Sequence, residues 1–322
     1  MLRLIVIPLD GSPFSEQALP LATRIAERQR AELELVHAYE TIVPYLTQGA
    51  PPFDPALDME LLEDRRAYIE SVATWLQAST SAKVSATVVS GVEVVGTLAE
   101  HLAERGADLV VMATHGRGGL SRVWVGSVAT DLVRQSDTQV LLVRPSEAGS
   151  REIKAWPFRH ALVPLDGTVA DDEAIDDAIA VAGDAGVEFL LLHVVVPVVN
   201  IAEPAETALL TETALESAMT QYLDEVANRI RARGFPVTTR VVADPSPAHA
   251  ILEVANERGV DFIAMETHAR KGLTRLLLGS VTDKVIRASR VPVLVHRRRV
   301  SAEPATARAP EAGATNTEAQ RY

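Results

Sequence analysis

Cysteine is absent from the 322-residue chain, which excludes disulfides and any thiolate-based metal or redox centre. That absence fits a reducing compartment, so a cytoplasmic location is expected. No apolar run approaches the roughly 20 residues that carry a helix across a bilayer, and no membrane partner is expected. The first residues form a strand-like run, Leu2 to Leu9, interrupted by Arg3. They lack the longer apolar core and small-residue cleavage site of a secretory signal. Net positive charge is lacking as well. The formal charge of −12 disfavours nucleic acid and anionic membrane as partners. Metal-ligand spacings such as His-Glu-x-x-His are missing. Gly91-x4-Gly96-Thr97 imitates half of a P-loop but has no lysine to hold the β- and γ-phosphates.

What is present is an alternation of short apolar runs and helical patterns. Leu4 to Leu9 reads as a buried strand ended by Asp10-Gly11-Ser12, and an amphipathic helix follows Ser15 with Ala18, Leu19, Ala22, Ile25 and Ala26 on one face. Leu33 to Ala38 is a second strand. Four prolines between residues 40 and 56 mark a loop. A helix over Ala56 to Gln77, a strand over Val84 to Val89, and a helix over Val94 to Arg105 closed by Gly106 come next. Ala107 to Ala113 and Val140 to Val143 complete a set of five strands. Strands alternating with helices imply a parallel sheet, and uninterrupted apolar strands imply that both of its faces are covered.

The order then repeats. Ala161 to Thr168 matches Ile5 to Ser12 almost position by position, and Phe189 to Val194 matches the second strand, His37 included as His193. A long helix from Ala205 to Arg233, a strand over Val237 to Val242, a helix over Ala248 to Arg258, and strands at Asp261 to Met265 and Val293 to Val295 follow. Residues 1–147 and 157–299 are two copies of one domain. Residues 300–322 form a tail rich in Ala, Glu, Pro and Thr, expected to be disordered. Each copy also carries a strand-to-helix loop, Thr114 to Ser127 and Thr267 to Ser280. Both loops are locally basic (Arg117, Arg122; Arg270, Lys271, Arg275) within an acidic chain.

Each half resembles a universal stress protein domain, and the whole resembles the tandem two-domain form. The resemblance rests on Pro8-Leu9-Asp10-Gly11 and Pro164-Leu165-Asp166-Gly167, on the Leu-x-His ending of the second strand, and on a loop that closes in Gly-Ser-Val. It implies an α/β fold of two open, doubly wound domains, each a five-stranded parallel sheet in the order 3-2-1-4-5 with helices on both faces. It also implies pairing of domains through the last strand, and ATP binding in some members. The family's ATP pattern, Gly-x2-Gly-x9-Gly-Ser/Thr, appears as Ala113-x2-Gly116-x9-Gly126-Ser127 in the first copy and Glu266-x2-Ala269-x9-Gly279-Ser280 in the second. By this similarity Pro8, Asp10, Ala38, Met112, Ala113, Gly116, Gly126, Ser127, Val128 and Ala129 would line an ATP site, with or without Mg²⁺. Pro164, Asp166, Val194, Gly279 and Ser280 would form a weaker second one.

The chemistry of such a site follows from general rules. Ligands of open parallel sheets lie at the carboxyl ends of strands where the winding reverses. Asp10 and the Gly116 loop end the two strands that flank this point. Helix N-termini offer free N–H groups to an anion, glycines permit close approach or positive φ, and Ser127 is a candidate N-cap or phosphate donor. Arg117 or Arg122 would reach phosphate oxygens. In the second loop Glu266 brings a negative charge towards the nucleotide position, and Asp283 is placed to satisfy helix-start N–H groups. The first domain is therefore expected to bind ATP better than the second. The alternative for these glycines is a tight turn, and for Asp10 and Asp166 a cap of the strand end. His37, His193, His115 and His268 read as structural residues, and Arg297-Arg298-Arg299 as a solvated strand exit. Three functions compete: an ATP-binding regulatory protein of the stress response, a slow ATPase or nucleotidyl-transferring enzyme, and an interaction module whose nucleotide site has decayed. The first is favoured, because no general base or partnered nucleophile stands beside the loop. Pairing of the two halves through Val140 to Val143 and Val293 to Val295, a possible homodimer, and a regulatory protein partner complete the expectations.

Overall fold

Along the chain the first half runs β1 (Leu4–Pro8), a 3-10 turn (Ser15–Ala18), α1 (Leu19–Gln29), β2 (Glu32–Glu40), α2 (Pro55–Gln77), β3 (Val84–Gly91), α3 (Val94–Arg105), β4 (Leu109–Ala113), α4 (Ser127–Gln135) and β5 (Gln139–Val143). The second half repeats it with β6 (His160–Pro164), α5 (Asp171–Ala182), β7 (Glu188–Val195), α6 (Ala205–Ala232), β8 (Val237–Ala243), α7 (Pro247–Glu257), β9 (Phe262–Thr267), α8 (Ser280–Ala288) and β10 (Val293–Arg297). The structure, a computed structural model, describes residues 1–41, 55–114, 126–145, 158–167, 171–183, 186–197, 205–267 and 279–297. The expected tail lies outside them, as does most of the proline-bearing loop after β2.

The strands form one 10-stranded sheet in the order β3-β2-β1-β4-β5-β10-β9-β6-β7-β8. Each half has the order 3-2-1-4-5 with parallel neighbours. The halves join where β5 meets β10 antiparallel, with Leu142 opposite Val293, Leu141 opposite Leu294 and Val140 opposite Val295. The expected pairing of the halves is thus a shared sheet.

Alternation along the strands divides the core into two layers. Ile5, Ile7 and Leu141 face α1, α2, α5 and α6. Val6, Val110 and Leu142 face α3, α4, α7 and α8. A carboxylate closes the lower edge of each half in the same way. Asp108 Oδ2 accepts the N–H groups of Arg3 at 2.7 Å and Leu4 at 3.0 Å. Asp261 Oδ2 accepts those of Arg159 at 2.5 Å and His160 at 2.8 Å. In each half a single carboxylate oxygen thus satisfies two backbone donors where the first strand begins.

Helix boundaries follow local chemistry. Glu93 caps α3 by accepting from the Gly96 N–H at 2.9 Å, and Gly106 ends the helix at φ 62°, where a side chain would be strained. The helix expected directly after Ser15 begins instead as a 3-10 turn, with α-helix only from Leu19. Pro20 explains the shift, since proline is tolerated in the first helical turn and not deeper.

Leu294 lies at the centre of the junction and is 1% exposed. Leu294→Ala should lower unfolding stability by about 2–5 kcal/mol in chemical denaturation. Val92→Ala, at a position 74% exposed, should leave the midpoint unchanged.

Candidate functional site

In the first half β1 and β4 pair only through Ile5–Leu109 and Val6–Val110. Beyond that point they separate. β1 stays with β2, where the Leu9 N–H donates to the Val36 carbonyl at 2.8 Å, and β4 stays with β5, where the Thr114 N–H donates to the Val143 carbonyl at 2.8 Å. A crevice therefore opens between Pro8–Asp10 and Met112–Thr114, at the carboxyl edge where the winding reverses. Ala38, Met112, Val128 and Ala129 all belong to, or pack against, the apolar layer on the α3–α4 side.

Asp10 sits at the mouth, half-buried. Its Oδ1 accepts the Ser12 N–H at 2.9 Å and the Ser12 hydroxyl at 2.6 Å. The Ser12 hydroxyl in turn accepts from the Ser15 N–H at 3.2 Å, and the Ser15 hydroxyl donates to the Ser12 carbonyl at 2.9 Å. The carboxylate is thereby held in one orientation. Ser12 and Ser15 are the residues that sequence reasoning passed over. An acceptor followed by a hydroxyl two residues later is the signature of such an Asx-type turn.

Across the crevice, the N-cap of α4 is Gly126 rather than Ser127, which is the first helical residue and exposed. Being glycine, Gly126 brings no side-chain acceptor to the first-turn N–H groups. It is also not there for positive φ: its backbone is at φ −55°, ψ 144°. What it provides is proximity. Its N–H donates to the Thr114 carbonyl at 2.5 Å, and a Cβ would stand 3.2 Å from that oxygen. The expected contacts of Gly116, Arg117 and Arg122 lie outside the described residues.

The second half opens a crevice in the same way. β6 and β9 pair only through Ala161–Phe262 and Leu162–Ile263, and the Leu165 N–H donates to the Leu192 carbonyl at 2.8 Å. Pro164 is half-buried and Asp166 exposed. Val194 packs on the apolar layer, and Gly279 and Ser280 stand where Gly126 and Ser127 do. The surroundings differ. Glu266 replaces Ala113, is 8% exposed, and accepts the Ala174 N–H of α5 at 3.2 Å. Its charge is thus committed to a helix start rather than simply projected into the crevice. Asp283 departs from expectation too. It forms a two-pronged bond with Arg287, Nε to Oδ2 at 2.8 Å and Nη2 to Oδ1 at 2.9 Å, and the N-cap of α8 is Gly279. Arginine one turn along offers a charged fork. A Cβ on Gly279 would meet the Thr282 hydroxyl at 3.9 Å, an ordinary contact.

Two of the four repeated histidines lie among the described residues. His193 Nδ1 lies 2.9 Å from the Leu165 carbonyl, and His37 is 6% exposed and meets Tyr68 edge-on with ring centroids 6.1 Å apart. His115 and His268 lie outside the described residues. No cluster of His, Asp or Glu fit to hold a metal occurs among the described residues.

The universal stress protein family model matches residues 1–144 and 157–297. The chain belongs to the universal stress protein family. A universal stress protein of Mycolicibacterium smegmatis is 28% identical over 297 residues, covering 92% of this chain and 97% of that protein. One from Mycobacterium tuberculosis is 27% identical over 297 residues, covering 91% and 97%. The crystal structure of a universal stress protein from Archaeoglobus fulgidus superposes with a TM-score of 0.68 at 20% identity, over 92% of this chain and 98% of that one. Family membership thus extends over both halves, and the tandem arrangement is shared along nearly the whole length of these relatives. Among the described residues no helix is long and apolar enough to cross a membrane.

Within this family frame one charged cluster distinguishes the first domain. Glu34 of β2, 2% exposed, bonds His101 Nε2 at 3.1 Å, Arg105 Nε at 3.0 Å and the Thr87 hydroxyl at 2.8 Å. Burial pushes its pKa up, but the bonds from His101, Thr87 and Arg105 outweigh it and hold the carboxyl at about 2. Leu190 and Val254, both buried, occupy the matching places in the second domain. The sequence signal was a glutamate inside an apolar strand, with a histidine and an arginine one helical turn apart to meet it. Because the folded pKa lies below the ordinary 4.5, the carboxylate's contribution is complete above that value. It is lost as pH falls towards about 2. The thermal midpoint should therefore drop more steeply over this window in the parent protein than in Glu34→Gln. The glycines give a second prediction. Gly126→Ala should cost about 1–2 kcal/mol through the squeeze against Thr114. Gly279→Ala should be neutral or stabilise by up to about 1 kcal/mol, as read by denaturant titration.

Proposed function

We propose that the first domain binds ATP in the crevice between β1 and β4, and that the bound state, rather than turnover, is its output in a cytoplasmic stress response. The observation that carries this reading is the exchange of Ala113 for Glu266 at the same strand end. Ala113 ends β4 with a small uncharged side chain, whereas Glu266 sets a buried carboxylate at the matching place in the second domain. Ala38, Met112, Val128 and Ala129 suit a purine ring, and Asp10, pre-oriented by Ser12, suits a ribose hydroxyl or an adenine amine. The opening turn of α4, with glycine at its cap and Ser127 exposed, suits the phosphates. Gly116 and Arg117 would complete the cradle. Pro164, Asp166, Val194, Gly279 and Ser280 would make a weaker site. Asp10 serves as an orienting group, since its carboxylate is an acceptor for Ser12, and this favours binding over general-base catalysis.

Titration calorimetry of the full chain with ATP should give one high-affinity site per chain, with the second domain binding more weakly. Ala113→Glu should weaken binding by about tenfold or more, because a buried like charge repels the triphosphate, while Glu266→Ala should not weaken it. Binding indifferent to Ala113→Glu would overturn the assignment. Release of phosphate from ATP and Mg²⁺ at a steady catalytic rate would favour the slow-ATPase reading instead.

A further inference from the structure

The junction between the halves is pseudo-symmetric, yet its two ends are chemically opposite. Leu141 and Leu294 face each other at its centre, on the α1–α5 side of the sheet. Continuing the register by one residue brings Gln139 beside His296 at one end and Val143 beside Pro292 at the other. At the first end, both Gln139 Nε2 and His296 Nδ1 bond the carboxylate of Asp177 on α5, which is 7% exposed. At the second end the matching three side chains are apolar: Val143 is 8% exposed, Pro292 is buried, and Leu21 of α1, the counterpart of Asp177, is 2% exposed. The next residue, Arg144, donates across the junction to the Arg287 and Ser289 carbonyls at 3.5 and 3.3 Å.

The polar end belongs to the second domain as a set. Glu266 is in register with His296, and both reach α5, through Ala174 and Asp177. The first domain has Ala113 in register with Val143 beneath Leu21. Three exchanges, Ala113 for Glu266, Val143 for His296 and Leu21 for Asp177, thus convert one apolar corner into one charged corner. Gln139, whose counterpart is Pro292, supplies the donor that this corner takes from the other domain.

We propose that the junction is a partner-selective interface that fits a first domain to a second domain and rejects pairing of either with its own kind. Two first domains joined through β5 would bury Gln139 against Val143 and Leu21 at both ends, an amide among apolar groups. Two second domains joined through β10 would set Asp177 and His296 against Pro292 at both ends, without the Gln139 donor. Only the unlike pair gives the Gln139 N–H an acceptor in Asp177 at one end and apolar contact at the other, and an unmatched buried donor costs more than a matched one returns. On this view Glu266 is part of the junction's charged corner, and its presence in the second crevice is a consequence of partner choice.

Hydrogen exchange of the full chain tests the matching. Asp177→Leu with His296→Val leaves Gln139 mismatched, and protection of the amides at residues 140–142 and 293–295 should fall about tenfold or more. Adding Gln139→Leu makes both ends apolar and should restore most of that protection, whereas Gln139→Leu alone should lower it. Rescue by the third substitution is the outcome that simple loss of contacts does not give. A triple variant less protected than the double would overturn the proposal. If the double variant does not fold, the cycle of Gln139→Ala with Asp177→Asn reads the same coupling: non-additive losses support it, and additive losses overturn it.

Discussion

Antiparallel pairing of β5 with β10 is the constraint on which the rest of the molecule depends. Each half alone would leave its fifth strand as an open edge of apolar residues, a row of unpaired N–H and C=O groups prone to association. Joining the two edges removes both and makes one sheet of 10 strands. Because the contact is antiparallel, the carboxyl ends of the two sets of strands point in opposite directions. The two crevices therefore open on opposite rims, and the lower edge of the first domain lies beside the upper edge of the second. That is why Gln139, at the start of β5, meets His296, near the end of β10.

Duplication then permits divergence at matched positions. A shared scaffold is visible in the paired carboxylates Asp108 and Asp261, each holding two strand-end N–H groups. The differences are local and concern charge. The first domain buries Glu34 beside His101 where the second has Leu190 and Val254, while Arg105 and its counterpart Arg258 are both exposed arginines. The second buries Glu266 and Asp177 where the first has Ala113 and Leu21. A buried ion needs partners supplied by neighbouring elements. For this reason the exchanges occur in sets, and a single changed residue is a poor guide to what has changed around it.

Much of the fold was legible in the sequence because its signals are local and repeated. Apolar runs such as Leu4 to Leu9, Gly106 after a helical pattern, and the recurrence of Pro-Leu-Asp-Gly each report on backbone conformation through nearby residues. Pro20 carried a local signal too, and accounts for the 3-10 turn before α1. The loop pattern ending in Gly126-Ser127 marked a strand-to-helix connection, but not which of the two residues caps the helix. That depends on how closely Gly126 approaches Thr114, a contact between segments separated by the loop. Asp283 was misplaced for a related reason. Its position favours a helix-start acceptor, but the arginine one turn on holds both oxygens.

By itself, then, the sequence determined two doubly wound parallel domains and, through the resemblance its motifs carry, their family and the pairing of their last strands. Periodicity and short motifs encode the elements and their order, since each depends on neighbours within a few positions. Tertiary structure alone decided that Glu266 caps α5, that Glu34 is buried against a histidine and reached by an arginine, and that Asp177 binds across the junction. In most of these the partners lie far apart along the chain. What they share is a buried polar group whose energy depends on which side chains the fold brings to it, and composition and spacing do not record that.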